Sequence, residues 1–391
     1  MTPKFKKFDS SQNGELIFRA FLRDQMDKEK NHNCHLQKIS VEGFKSIQSL
    51  TLNIAPVNIL LGANGAGKSN FLSLFSFLNH LAQGSLENYV ARNGFASSFL
   101  HFSSKQTPLM SIDLHIDNHH YHAELHFNTY NDSFIFENEY LTSPLNHKNT
   151  LKGKPGESGL LANNIDNQNT ILNFLNTCRV YHFHDNSDYA GFKQAIPLNA
   201  SEYLYPDAQN LAAYLYRLRH EYPVHYKDIV STIQTVSPFF HDFYLDPVGS
   251  ERDEKILLKW LHRNHDRPFS ASQLSDGTSR FICLVVLLLQ PKKLRPRTIL
   301  LDEPELGLHP AALDVLADMI KKNSQENQVI CTTQSVAFAN RFMPENFIVV
   351  NQKKGVSAFR RLIGEKLQHW LEDYGMGDIW EKNLIGGGPE W

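Results

Sequence analysis

The residues best suited to chemistry stand in one ungapped run, Gly62-Ala63-Asn64-Gly65-Ala66-Gly67-Lys68-Ser69, which fits the spacing GxxxxGK[ST]. Glycines let backbone N–H groups curl around a phosphate, Lys68 can reach terminal phosphates, and Ser69 can ligate Mg²⁺. A helix that starts here adds roughly half a positive charge. The alternative is a glycine-rich turn that happens to contain Lys-Ser. It leaves unexplained the apolar run Val57 to Leu61 before the loop and the helical spacing of Phe71, Leu74, Phe75 and Leu78 after it. The pattern implies a nucleotide phosphate site between a strand and a helix.

A second constellation, Thr298-Ile299-Leu300-Leu301-Asp302-Glu303-Pro304, delivers two adjacent carboxylates at the end of an apolar strand, where ligands bind in open α/β sheets. Asp302 is expected to hold Mg²⁺ through its water shell opposite Ser69. Glu303 is expected to orient or deprotonate the water that attacks the γ-phosphate. A solvated strand end accounts for one acid after an apolar run, but not readily for Asp-Glu-Pro in a chain with a phosphate loop. Upstream, Leu274-Ser275-Asp276-Gly277-Thr278-Ser279 precedes the apolar stretch from Arg280 to Leu289. A Ser hydroxyl and free N–H groups at such a helix start form a second anion site. Locally the same residues also read as an ordinary N-cap, and their position ahead of the acidic strand favours the anion site.

The elements that must position these residues follow from patterning. Alternation in LQKISVEGFKSIQSLTLNI from Leu36 predicts two paired strands joined at Gly43 to Ser46, and alternation from Leu109 to Leu141 predicts an antiparallel meander. Residues 142 to 170, rich in Asn, Gly, Lys and Pro, predict a long polar loop or arm. Helical spacing returns from Ala208 to Ser237, a strand pair is expected around Phe243 to Trp260, and α/β alternation runs from Leu274 to Val350. A helix over Glu15 to Lys30 is expected in an N-terminal extension, residues 1–35, ahead of a head spanning 36–391. Within that head an arm insertion is expected over about 142–207, and a tail with a short helix and a glycine-rich end over 353–391.

Length and composition agree with a globular protein. The 391 residues are 41% hydrophobic and 20% charged, which excludes a wholly disordered, collagen-like or coiled-coil chain. The net charge of -2 requires neither a nucleic acid nor a membrane as partner. Cys34, Cys178, Cys283 and Cys331 are scattered without a CxxC pair and suit reduced thiols in a cytoplasm. The longest apolar run, Phe281 to Leu289, has nine residues, about half of the ~18 to 20 needed to span a bilayer. It predicts a buried helix. The N-terminus lacks the pattern of a secretory signal.

Taken in order, GANGAGKSN, LSDGT, ILLDEPELGLHP and an apolar strand ending TTQS resemble the ATP-binding-cassette ATPases of the RecF and chromosome-maintenance type. The chain is most similar to the soluble bacterial ATPases of this kind without a coiled coil. VEGFKSI, VYHFHDNS, NLAAYL and WLEDYGMGDIWEKNLIGG extend the likeness over about Leu36 to Gly388. The resemblance implies an α/β P-loop head with a mixed sheet, an antiparallel β lobe and a helical arm insertion. It further implies Mg²⁺-dependent ATP binding and hydrolysis in a head-to-tail homodimer closed around ATP. In that arrangement Gly62, Asn64, Gly65, Ala66, Gly67, Lys68, Ser69 and Asn70 hold the phosphates, with Lys45 and Ser46 beside the sugar and α-phosphate. Ser275, Asp276 and Gly277 reach the partner's γ-phosphate, and Glu305 to Pro310 joins the two sites.

One departure is carried by Thr332-Thr333-Gln334-Ser335, which places Gln334 where relatives have His. Its amide can bond a γ-phosphate or its water but cannot carry a proton, so slow turnover is expected. Gln106 is the candidate for the glutamine that completes the metal site in relatives.

Other signals are discounted. His119, His120, His122 and His126, like His182 and His184, alternate as strand residues do, yet neither group has CxxC or HExxH spacing, and no metal besides Mg²⁺ is expected. His32, Cys34 and His35 read as a solvated linker. Lys292, Lys293, Arg295 and Arg297 form a compact basic loop that reads as a solvated face. Two biological readings follow from the resemblance: a switch for a separate effector, such as a nuclease in antiphage defence, or an ATPase of the repair type acting directly on nucleic acid.

Overall fold

A computed structural model describes residues 35–142, 147–163, 168–185, 187, 190–250 and 253–388. The expected helix over Glu15 to Lys30 lies outside the described residues, as do His32 and Cys34.

Two sheets organise these residues. In the first, β1 (Leu36–Phe44) and β2 (Ile47–Asn53) pair antiparallel across the turn at Lys45 and Ser46. A phosphate-loop unit follows, β3 (Val57–Leu61), α1 (Lys68–Ala82) and the short α2 (Leu86–Arg92). The meander β4 (Leu109–Ile116), β5 (His119–Asn128) and β6 (Ser133–Thr142), extended by β7 (Lys148–Thr150), then completes a six-stranded antiparallel sheet ordered β2-β1-β4-β5-β6-β7. Strand β4 alternates buried and half-buried residues along its length, as a strand with one face on a core does.

Residues 151–163 fold back against the lobe rather than leaving it. Buried Glu139 accepts bonds from Ser158 Oγ, the Gly159 N–H at 2.7 Å and Tyr121 Oη at 2.7 Å. Next come α3 (Gln168–Thr177), β8 (Arg179–Tyr181) and β9 (Ile196–Pro197). The arm stretch therefore contributes a sheet strand, because β8 pairs in parallel with a later strand. Helices α4 (Leu211–Glu221) and α5 (Pro223–Val236) lead to β10 (Phe240–Tyr244), β11 (Lys255–Ile256), β12 (Lys259–His262) and β13 (Phe269–Ser270). Here β10-β12-β13 form one small sheet and β11-β9 another.

The second large sheet holds the core. After α6 (Asp276–Leu289) run β14 (Thr298–Leu301), α7 (Pro310–Asn323), β15 (Gln328–Thr333), α8 (Val336–Ala339), β16 (Phe347–Lys353) and β17 (Val356–Arg361). The strand order is β17-β16-β3-β15-β14-β8, parallel from β16 to β8 and antiparallel at β17. Every residue of β3, β14 and β15 is buried, the signature of parallel strands covered on both faces. Ser279 to Leu288 of α6 are likewise buried, so the longest apolar run is an inner helix. Among the described residues no helix is long and apolar enough to cross a membrane.

The tail is more broken than expected: a 3₁₀ turn, α9 (Gln368–Leu371) and α10 (Met376–Glu381) precede the glycines. The two large sheets are tied together by Gln328, whose amide accepts from the Leu36 N–H and donates to the Leu36 carbonyl, both at 2.8 Å. Cys178, Cys283 and Cys331 are buried thiols outside any disulfide among the described residues.

Candidate functional site

Because β3, β15, β14 and β8 are parallel and adjacent, their C-terminal ends share one edge. The phosphate loop leaves β3, Thr332 and Thr333 end β15 with Gln334 just beyond, Asp302 and Glu303 leave β14, and His182 leaves β8. With strands about 4.8 Å apart, the phosphate loop and the acidic pair sit about 10 Å apart across β15.

The loop's backbone is shaped by Gly65 at φ +77° and Gly67 at φ +110°, a region that L side chains avoid. A Cβ on Gly67 would overlap the Ser357 hydroxyl, whereas one on Gly65 would meet nothing. The loop is thus backed by protein at Gly67 and open at Gly65, with Asn64 and Ser69 exposed. Lys68 is 4% exposed, its ammonium bonded to the carbonyls of Gly62 at 2.7 Å and Ala63 at 3.0 Å. Burial lowers its pKa, and Glu303, Asp302 and Glu305 oppose that shift. Helix α1 begins with neither a side-chain cap nor an acidic residue in its first turn, so the positive end of its dipole is uncompensated. Open loop, buried lysine and uncapped helix fit a phosphate chain with its Mg²⁺.

Ser46 lies against this loop. Its hydroxyl accepts from Asn70 Nδ2 at 2.7 Å and lies 2.8 Å from the Ser357 hydroxyl, whose own proton goes to the Ala66 carbonyl at 2.7 Å. Lys45 turns aside. Its ammonium donates to Ser73 Oγ at 3.0 Å and lies over the rings of Phe99 and Phe44. Gln106 is exposed in the turn after His101, whose ring bonds the Lys45 carbonyl at 2.7 Å.

At the acidic edge, Thr332 Oγ1 donates to Asp302 Oδ1 at 2.6 Å, and the Glu303 N–H donates to Thr332 Oγ1 at 3.0 Å. His182 Nδ1 stands 3.2 Å from Asp302 Oδ2. Burial raises the Asp302 pKa, but the bonds from His182 and Thr332 and the two nearby imidazoles outweigh it, leaving the carboxyl below its usual range. Glu303 sits at φ +42°, and its Oε1 accepts from Gln334 Nε2 at 3.0 Å. Glu305, 5% exposed, accepts from the Thr333 hydroxyl, while its other oxygen meets no hydrogen-bond donor among the described residues. Burial, with Glu303 adding, pushes its pKa up to about 7.

Ser275 caps α6, accepting from the Thr278 N–H at 3.3 Å, and Ser275 and Asp276 are exposed. So the N-cap reading of this segment holds within one chain. Gly277 packs where a Cβ would overlap the Gly307 carbonyl. Three further participants went unnoticed in the sequence. Arg280 donates to the Phe183 carbonyl at 2.8 Å and to the Leu306 carbonyl, linking α6, the end of β8 and the loop after Pro304. Ser357 backs the phosphate loop, and the Gly387 carbonyl accepts from the Ala63 N–H at 2.8 Å.

Comparison with known proteins agrees with this geometry. Residues 152–340 match the family described as "AAA domain, putative AbiEii toxin, Type IV TA system". Residues 34–121, which include the phosphate loop, match one described as "Protein of unknown function (DUF2813)". No curated protein matches the chain in sequence. Among solved structures, an Smc head bound to the C-winged helix domain of ScpA is 18% identical with a TM-score of 0.52, covering 85% of this chain and 99% of that one. An Smc head domain with an extended coiled coil, bound to the C-terminal domain of ScpA derived from Pyrococcus furiosus, is 15% identical with a TM-score of 0.53 and coverage of 87% and 99%. The chain shares the mixed α/β fold of these Smc heads, and its residues 152–340 are similar to the AAA domain family.

Proposed function

We propose that the chain binds ATP with Mg²⁺ across the phosphate loop and the acidic strand, hydrolyses it slowly, and closes as a homodimer that switches a separate effector protein. The observation that carries this reading is Lys68, a buried ammonium held on the loop's own carbonyls within the field of three carboxylates. Such a lysine is poised to exchange those carbonyls for phosphate oxygens. Bound Mg²⁺, held by Ser69 and Asp302, would neutralise phosphate charge. Glu303 then orients the attacking water and takes its proton, while the Gln334 amide fixes the carboxylate. An amide cannot relay that proton, which accounts for slow turnover.

The effector reading is favoured over direct action on nucleic acid by the basic loop. Lys292 and Arg295 face Glu326 at 3.5 and 3.9 Å, and Arg295 also bonds the Gln290 carbonyl at 2.8 Å. These charges are already engaged. The Smc head relatives were solved with a domain of ScpA, and the family description names a toxin. The ScpA domain supports the reading of a protein partner, and an effector such as a nuclease in antiphage defence fits that class.

Calorimetry with ATP and Mg²⁺ tests the reading. The wild-type chain should bind and Lys68→Ala should not. No affinity of the wild-type chain for adenine nucleotides would sink the proposal.

A further inference from the structure

Immediately beyond β8 the chain places two imidazoles on the acidic edge. Phe183 is buried in the core, and its neighbours His182 and His184, two positions apart in an extended segment, share the opposite side. The segment is pinned from both flanks. The His182 N–H donates to the Pro206 carbonyl at 3.0 Å, and Arg280 Nε holds the Phe183 carbonyl at 2.8 Å. One nitrogen from each histidine and a carboxylate oxygen of Asp302 lie within 4.8 Å of one another.

We propose that His182, His184 and Asp302 form a binding site for a divalent transition-metal ion of the zinc type. Two imidazoles and one carboxylate suit such borderline ions, whereas Mg²⁺ and Ca²⁺ take oxygen ligands. With metal–ligand bonds of about 2.1 Å, a tetrahedral ion spaces its donor atoms about 3.4 Å apart. The separation of 3.2 Å between His182 Nδ1 and Asp302 Oδ2 already meets that spacing. A turn of the His184 ring closes the third side. Asp302 Oδ1 is taken by Thr332, leaving Oδ2 to the ion. Arg280 is the nearby opposing charge, and it is turned onto backbone carbonyls while Asp302, Glu303 and Glu305 surround the edge. Three protein ligands leave coordination positions open, so the ion can also take an outside oxygen.

The consequence rests on the nucleotide reading: an ion on Asp302 Oδ2 competes with the use of that carboxylate beside ATP, so zinc loading lowers Mg²⁺–ATP affinity and ATP lowers zinc affinity by the same factor. Binding of the ion itself needs no nucleotide.

The test titrates the metal-free full chain with Co²⁺, following its visible ligand-field bands, then displaces it with Zn²⁺, all without nucleotide. The wild type should show one site free of thiolate charge-transfer bands. His182→Ala/His184→Ala should abolish the bands and weaken Zn²⁺ by more than the roughly 10- to 100-fold that loss of an outer-shell partner costs. His184→Gln alone, which keeps a polar side chain, should weaken it in the same direction. A second histidine cluster supplies the control. His120 and His122 both contact Asp113 in the β lobe, at 2.8 and 2.9 Å, and His120→Ala/His122→Ala should leave the bands intact. Bands that survive in the 182/184 variants, bands lost only in the lobe variant, or thiolate bands would each overturn the proposal. Because the titration contains no ATP, its failure and a failure of the ATP reading register separately.

Discussion

Gln334 Nε2 donates to Glu303 Oε1 at 3.0 Å, so the carboxylate after the acidic strand is held by an amide. Glu303 occupies φ +42° while its N–H is tied to Thr332, a conformation that costs about 1 to 3 kcal/mol and persists only when its surroundings enforce it. Glu303→Gln keeps an oxygen able to accept from Gln334 and removes only the base. Phosphate release should fall by roughly 10² to 10⁴ fold, ATP affinity should survive, and light scattering should find dimer accumulating with ATP. Wild-type turnover in this variant would refute the assigned role.

Glu305 makes a second prediction through pH. Its folded pKa of about 7 exceeds the ordinary value of about 4.3, so the protonated form is the one the fold prefers. The stability this contributes is complete below about pH 4.3 and is lost as pH rises through about 7, a change of roughly 4 kcal/mol at most. Glu305→Gln mimics the protonated form. Thermal melts from pH 5 to 8 should show the wild type losing stability relative to the variant as pH rises. A constant gap between the two would rule out the titration.

Much of this architecture was readable from local pattern. VNILL and TILL announced apolar strands, which the fold makes parallel and buried, and the alternation from Leu109 announced an antiparallel meander. What escaped was whatever depends on distant partners. Arg179–Tyr181 is too short to show a period, and only pairing with β14 makes it a strand. His182 and His184 were visible as alternating imidazoles, but Asp302, which faces them, is brought in by the sheet order. Ser357 reaches Ser46 because the β16–β17 hairpin returns to the phosphate loop, and no residue near Ser357 signals that. The burial of Glu305 is likewise a product of packing, since its sequence neighbours Pro304 and Leu306 say nothing about solvent.

The glycine-rich end supplies a third prediction. Gly387 sits at φ +82°, and a Cβ there would come 2.8 Å from Val349 Cγ1 and 3.3 Å from the Leu61 carbonyl, at the root of the phosphate loop. Gly387→Ala forces the chain off this contact and loosens the bond from the Ala63 N–H to the Gly387 carbonyl. A loss of about 1 to 3 kcal/mol is expected, with weaker ATP binding. An unchanged melting temperature together with unchanged calorimetric affinity would show that the tail does not brace the loop.

The fourth prediction separates a dimeric site from one completed within a single chain. Ser275 is exposed and bonds within its own helix start, so Ser275→Arg should leave ATP binding at the same chain's Lys68 intact while blocking approach of a second copy. Alone, that variant and Lys68→Ala should each be nearly inactive. Mixed, they form a head-to-tail pair in which the intact phosphate loop of the Ser275→Arg chain meets the intact Ser275 of the Lys68→Ala chain, restoring one of two composite sites. Turnover should therefore reappear on mixing and rise with the concentration of either chain. If two folded variants stay inactive at every ratio, or Ser275→Arg alone turns over at the wild-type rate, Ser275 does not act across a dimer.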